Sequence, residues 1–151
     1  MRAVAVDVTS ETDMVALGRR LAGLLTDIRL LHLRGPLGSG KTTLVRGILR
    51  GLGHRGPVKS PTFTLVESYF LAREVHHFDL YRLKDPEELE FMGVRDYLQG
   101  DNLCLVEWPE RAGKILSAPD VDIMIDITDM GRHVQFTAHR ARGESLVSGL
   151  A

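Results

Sequence analysis

A single cysteine, Cys104, among 151 residues excludes a disulfide framework. Its place in the run Asn102-Leu103-Cys104-Leu105-Val106 points to a buried structural thiol. Net charge is nearly absent as well, with 19 Lys plus Arg standing against 20 Asp plus Glu. A chain at −1 has no whole-molecule field to draw it onto nucleic acid or an anionic membrane, so any link to RNA runs through a partner or a local patch. Long hydrophobic runs are missing too. Asp7 cuts the apolar start before it reaches the length of a secretory h-region, and nothing approaches the ~20 apolar residues of a membrane span. The expected location is cytoplasmic, with no membrane contact. With no repeat, linker or low-complexity tract, residues 1–151 read as one domain. The 44% hydrophobic content is sufficient for a core, since a chain of this length buries roughly 70% of its unfolded surface.

What is present is alternation of strand and helix patterns. Val4, Val6 and Val8 predict a short first strand, and Thr9 or Ser10 can cap a helix whose apolar face is Val15, Leu17, Leu21, Leu24 and Leu25. Ile28 to Leu33 is a compact run of strand length that ends in a glycine-rich turn. Beyond it, Leu44, Val45, Ile48, Leu49 and Leu52 recur at helical spacing over Lys41 to Leu52, and Gly53 supplies a stop. The breakers in His54 to Pro61 lead to a strand over Thr62 to Tyr69, which pairs with a second near Val75 to Leu80. Asp85-Pro86-Glu87-Glu88-Leu89 opens a helix, with its acidic residues on a solvated face. Leu103 to Val106 reads as a buried strand, Pro109 to Leu116 as a short helix, and Val121 to Ile127 with His133 to Ala138 as strands joined by a turn at Gly131.

The turn after the second strand carries the most chemistry. Gly35-Pro36-Leu37-Gly38-Ser39-Gly40-Lys41-Thr42 matches G-x-x-x-x-G-K-[ST] at every defined position. Glycines at 38 and 40 let successive N–H groups turn inward around phosphate oxygens, and the helix behind adds its positive N-terminal dipole. An exposed Lys41 ammonium can meet the β- and γ-phosphates, and the Thr42 hydroxyl can ligate Mg²⁺. The strand, glycine loop and helix order predicts an α/β chain, a single-domain P-loop NTPase-like fold with a mixed central β-sheet flanked by helices. ATP is favoured over GTP because the sequence lacks an Asn-Lys-x-Asp segment.

Magnesium needs a further oxygen ligand, typically a carboxylate at a strand end beside the loop. Glu107 follows the apolar run Leu103 to Val106 and is assigned the metal. Asp79 follows the more polar Val75-His76-His77-Phe78, a less typical central strand, and is assigned a catalytic role in ordering water or a mobile loop. Thr62 and Thr64 stand open between sensing a γ-phosphate and being plain strand residues. Trp108 stands open between stacking on a base and filling a core or partner contact. His76 and His77 face opposite sides of a strand and receive no ligand role.

Several segments together resemble the TsaE (YjeE) family of bacterial P-loop ATPases. They are Gly35 to Thr43, Val58-Lys59-Ser60-Pro61-Thr62-Phe63-Thr64-Leu65-Val66-Glu67, His77-Phe78-Asp79-Leu80-Tyr81-Arg82-Leu83, Asp85 to Gly93, and Leu105-Val106-Glu107-Trp108-Pro109-Glu110. The resemblance implies ATP and Mg²⁺ at Leu37, Gly38, Ser39, Gly40, Lys41, Thr42 and Thr43, with Thr42 and Glu107 as metal ligands. It further implies nucleotide contacts near Glu11 and Arg132. The implied role is ATP hydrolysis in support of threonylcarbamoyl adenosine formation in tRNA, acting on a complex of TsaB and TsaD and meeting tRNA only through that complex. The residues also allow a small-molecule kinase, although Arg95 is the only cation between Asp85 and Gly100 to close over a phosphoryl group, or a nucleotide-dependent binding module with negligible hydrolysis.

Overall fold

A computed structural model describes residues 2–151. Its strands are β1 (Ala3–Val8), β2 (Leu30–Arg34), β3 (Val66–Phe70), β4 (Glu74–Asp79), β5 (Leu103–Glu107), β6 (Val121–Thr128) and β7 (Gly131–Ala138). The helices are α1 (Glu11–Ala22), α2 (Lys41–Gly51), α3 (Glu87–Phe91), α4 (Val94–Tyr97) and α5 (Ala141–Leu150), with a 3-10 turn at Pro109–Ala112. All seven strands form one sheet in the order β1-β7-β6-β2-β5-β4-β3. The inner four, β6-β2-β5-β4, run parallel, while the pairs β1 with β7, β6 with β7 and β3 with β4 are antiparallel. The α/β single-sheet architecture with flanking helices expected from the sequence is the observed one.

Period-2 alternation sends the strand side chains to two cores. Leu31, Leu33, Val75, Leu103, Leu105, Ile123 and Phe136 pack under α1, α2 and α5, whereas Leu30, Phe78, Cys104 and Val106 pack with Leu80, Leu89 and Val94 on the other face. Cys104 is buried as expected, and burial pushes its thiol up to about 12. α1 and α2 lie backbone to backbone. A Cβ on Gly47 would stand 2.3 Å from the Val15 carbonyl oxygen, and one on Gly18 2.5 Å from that of Leu44, so glycine at this crossing sets how closely the two helices approach each other.

Several expected elements differ in extent. α1 stops at Ala22, capped by Gly23, so Leu24 and Leu25 lie beyond it, and its inward face is Met14, Leu17, Gly18 and Leu21 rather than one that includes Val15. Thr62 to Leu65 form a turn instead of the start of a strand. Leu65 has φ 68°, its N–H donates to Pro61 O at 2.8 Å, and its carbonyl accepts from Asp79 N at 3.0 Å. β4 is buried from Val75 through Asp79 and lies inside the sheet, despite its polar sequence. The helix expected over Pro109 to Leu116 is only the 3-10 turn, ended by Gly113 at φ 59°. α5 has a weak local signal: no side chain caps it, two glycines interrupt it, and only Leu146, Val147 and Leu150 supply large buried apolar groups. Tertiary contact creates it, with Gly143 so close to the chain that a Cβ would meet Asp120 O at 2.1 Å.

Candidate functional site

The glycine loop joins the end of β2 directly to α2. Gly40 caps α2 at φ 108° and ψ 17°, a conformation that strains a residue with a Cβ, and it makes no side-chain cap. The first-turn N–H groups of α2 therefore remain available to an anion. The buried Ser39 hydroxyl in the same loop has no hydrogen-bond partner among the described residues.

Parallel pairing places the two candidate carboxylates side by side at strand ends, with Asp79 of β4 opposite Glu107 of β5 and Leu33 of β2 on the far side of Glu107. Thr42, in the first turn of α2, donates its hydroxyl to Glu107 at 2.9 Å from Oε2 and 3.2 Å from Oε1. Glu107 is 3% exposed. Asp79 accepts from Tyr81 N at 3.0 Å and from the Thr62 hydroxyl at 3.2 Å. Burial, with the Glu107 charge adding to it, pushes the Asp79 carboxyl above its usual range against the pull of those two donors.

Lys41 is enclosed rather than exposed, with 5% of its surface accessible. Its ammonium donates to the carbonyls of Gly35 and, at 3.2 Å, Pro36, and it lies 4.2 Å from the centre of the Trp108 ring. Burial lowers its pKa from the usual lysine value, opposed by Glu107, Asp79 and Glu110. Trp108 adopts φ 57° and ψ 49° immediately after β5, a left-handed conformation unusual for a bulky residue. That turn brings its half-buried ring beside Lys41 and 4.9 Å from Tyr81. Trp108 is thus part of the site wall, as well as being packed against the second core.

These groups line a cavity of about 430 Å³ that holds Leu37 to Thr43, Asp79, Glu107 and Trp108 together. Thr62 reaches it and shares a 2.7 Å hydrogen bond with Ser60. Thr64 turns to Glu67 at 3.4 Å and does not line it. A second cleft of about 310 Å³ lies along the same loop at Gly38 to Gly40 and is walled by Glu11, Met14 and Arg132. Arg132 stands at the start of β7 rather than in the turn before it. It donates to Ser39 O at 3.1 Å and Gly38 O at 3.2 Å, and Glu11 pairs with Arg46 at 3.2 Å. The residues given nucleotide, metal or catalytic roles from sequence therefore border one of two clefts that share the loop, whereas Thr64 borders neither.

Ser60, in the loop that leads to Thr62, lines the first cavity, and so do Tyr81 and Arg82, to which the sequence assigned no role. Nor had His77 been given a part, yet its Nε2 lies 2.6 Å from Glu107 Oε2. The available signal was positional, since His77 is two residues from Asp79 on one strand and so shares its face. No group of three or more His, Cys, Asp or Glu among the described residues is arranged to hold a metal. An ion here would need the Thr42 hydroxyl and further oxygens from water or ligand, a donor set that suits Mg²⁺.

Residues 8–135 match the family model described as "Threonylcarbamoyl adenosine biosynthesis protein TsaE". The chain is 43% identical over 157 aligned positions to the tRNA threonylcarbamoyladenosine biosynthesis protein TsaE of Haemophilus influenzae, covering 100% of this chain and 99% of that one. It is 38% identical over 124 positions to the Bacillus subtilis protein of the same name, covering 81% and 77%. The crystal structure of Bacillus subtilis YdiB superposes with a TM-score of 0.84 at 28% identity, covering 99% of this chain and 94% of that one. A family match across most of the chain and a relative similar along its full length, with a structural superposition that covers 99% of the chain, establish that this chain belongs to the TsaE family.

Proposed function

We propose that the chain binds ATP with Mg²⁺ in the loop cavity, hydrolyses it, and thereby supports threonylcarbamoyl adenosine modification of tRNA through a TsaB–TsaD complex. The observation that carries this reading is the convergence of Lys41, Thr42, Asp79 and Glu107 on one cavity beside an uncapped helix start. The family membership supports the pathway.

In this reading the N–H groups of the loop and of α2 cradle the phosphates. Lys41, whose ammonium rests on neutral carbonyls, gains by moving to anionic β- and γ-phosphate oxygens. Thr42 and Glu107 hold the ion. Bound Mg²⁺ supplies neutralisation of the charge that spreads over the transferring phosphoryl group. Asp79, a carboxylate with raised proton affinity on the same cavity, orients the water that attacks the γ-phosphorus as the bond to the β-phosphate oxygen breaks. Glu11 and Arg132 flank the nucleoside end in the second cleft.

The test is to measure ATP hydrolysis and tRNA modification with the chain alone, with TsaB and TsaD, and with all three. The expected result is hydrolysis that rises with the partners and modification that needs the chain for repeated turnovers. Modification running through many turnovers without it would overturn the assignment. Tight ATP binding with no hydrolysis in any mixture would leave the nucleotide-dependent binding module as the correct description.

A further inference from the structure

We propose that His77 is a positioning residue that holds the Glu107 carboxylate in place for a divalent ion. The proposal rests on the metal reading given above and deepens it. Glu107 Oε2 accepts from two sides, from the Thr42 hydroxyl at 2.9 Å and from His77 Nε2 at 2.6 Å. These donors differ in kind. Thr42 belongs to α2 and is itself a candidate ligand, so its hydroxyl proton must turn away from Glu107 whenever its oxygen takes up an ion. His77 has no such second duty. It lies at the middle of β4 with none of its side chain accessible, between β3 and β5 in the sheet.

The direction of the bond follows from the other ring nitrogen. His77 Nδ1 is buried with no hydrogen-bond partner among the described residues. A proton there would be left unsatisfied, so the neutral ring carries its proton on Nε2 and donates it to Glu107. An unpaired buried acceptor is tolerated on the far side to keep a donor aimed at the carboxylate. With Thr42 turned toward an ion, the His77 bond remains as the protein contact that stops the Glu107 carboxyl group from rotating about its last torsion, which leaves Oε1 facing Thr42 and the loop. A partner of this kind behind a ligating carboxylate fixes ligand orientation, and losing it typically weakens metal binding roughly 10- to 100-fold.

The experiment uses the full chain loaded with a non-hydrolysable ATP analogue, and Mn²⁺ as the probe, read by electron paramagnetic resonance. Analogue affinity in EDTA is measured in parallel by calorimetry. His77→Leu keeps an apolar volume in the buried slot and removes the donor, whereas His77→Gln returns an amide N–H near the position of Nε2. The expected result is a Mn²⁺ affinity reduced roughly 10-fold or more by His77→Leu, largely restored by His77→Gln, with analogue affinity in EDTA unchanged for both. Should the leucine variant not fold, His77→Asn, whose amide is too short to reach Glu107, takes its place with the same expectation. Wild-type Mn²⁺ affinity in a folded Leu or Asn variant overturns the positioning role alone. An equal loss of metal-free analogue affinity in all the variants overturns it too, because that marks a general disturbance of the sheet. Absence of Mn²⁺ binding to the loaded wild-type chain overturns the metal reading and the positioning role with it.

Discussion

The two clefts share one loop and differ in almost everything else. The first is built from Lys41, Thr42, Asp79 and Glu107, which are buried or half-buried, include the Thr42–Glu107 hydrogen bond, and are supplied by the ends of parallel strands and the start of α2. The second is walled by Glu11, an exposed side chain in the first turn of α1, and by Arg132 near the start of β7 in the antiparallel flank. Parallel strands deliver successive C-terminal ends to one side of the sheet, so chemistry accumulates there. The antiparallel flank contributes single side chains that happen to reach the loop. The comparison teaches that the first cleft is an enclosed cluster set by neighbouring strand ends and a helix start, whereas the second is a pair of separable contacts.

Substitutions can break that distinction. The largest effect belongs to Lys41→Ala, expected to cost roughly 100-fold in nucleotide affinity, or about 2.7 kcal/mol, with the circular dichroism spectrum preserved. Unchanged affinity by calorimetry would remove the loop from the site. Glu107→Ala is expected to lower Mg²⁺-dependent turnover by about 100-fold while sparing metal-free nucleotide binding, whereas Asp79→Ala lowers hydrolysis with binding near normal. Steady-state rates and binding in EDTA separate the two, and the opposite ranking would mean that the carboxylates have exchanged roles. Arg132→Ala tests the other cleft. It removes the donors to Gly38 O and Ser39 O, and a loss of no more than about 30-fold in nucleotide affinity is expected, since each of these two neutral acceptor bonds is worth about 1 kcal/mol. A loss as large as that of Lys41→Ala would show that the two clefts are one network.

Thr62 and Thr64 sharpen the same contrast from within a single turn. Thr62 touches Asp79 at 3.2 Å, while Thr64 points to Glu67, so only Thr62→Ala is expected to narrow the difference in TsaB–TsaD affinity between the ADP and ATP-analogue states. No narrowing by either substitution would return them to the standing of ordinary turn residues. The smallest effect concerns stability. Because burial raises the Asp79 carboxyl above its usual range, the native state binds that proton more tightly than the unfolded chain does. The ionised group therefore costs stability that grows as pH rises from the ordinary carboxylate range through the raised value. Asp79→Asn keeps an acceptor for Tyr81 N–H and is expected to raise the thermal midpoint at neutral pH by roughly 2 °C, with the gain vanishing in acid. A midpoint gain independent of pH would detach it from the carboxyl charge.

The sequence by itself determined the phosphate loop, the strand before it, the helix behind it and the placement of Glu107 at a strand end. Each is a local pattern: glycines where the backbone must turn left-handed, apolar residues at spacing 2 or 3.6, and a carboxylate directly after an apolar run. It also carried enough specific segments between Leu33 and Arg111 to identify the family. Only the tertiary structure decided what lies across a gap in the chain. β4 reads as polar yet is an interior strand, because His77 and Asp79 find partners at Glu107 and Thr62 that no local window contains. Lys41 is enclosed because Trp108, 67 positions away in sequence, turns its ring over the ammonium. α5 exists because Leu146, Val147 and Leu150 have a sheet to cover. Local pattern sets the backbone conformation that each segment prefers, while burial and hydrogen bonding between distant segments choose which polar groups become a site.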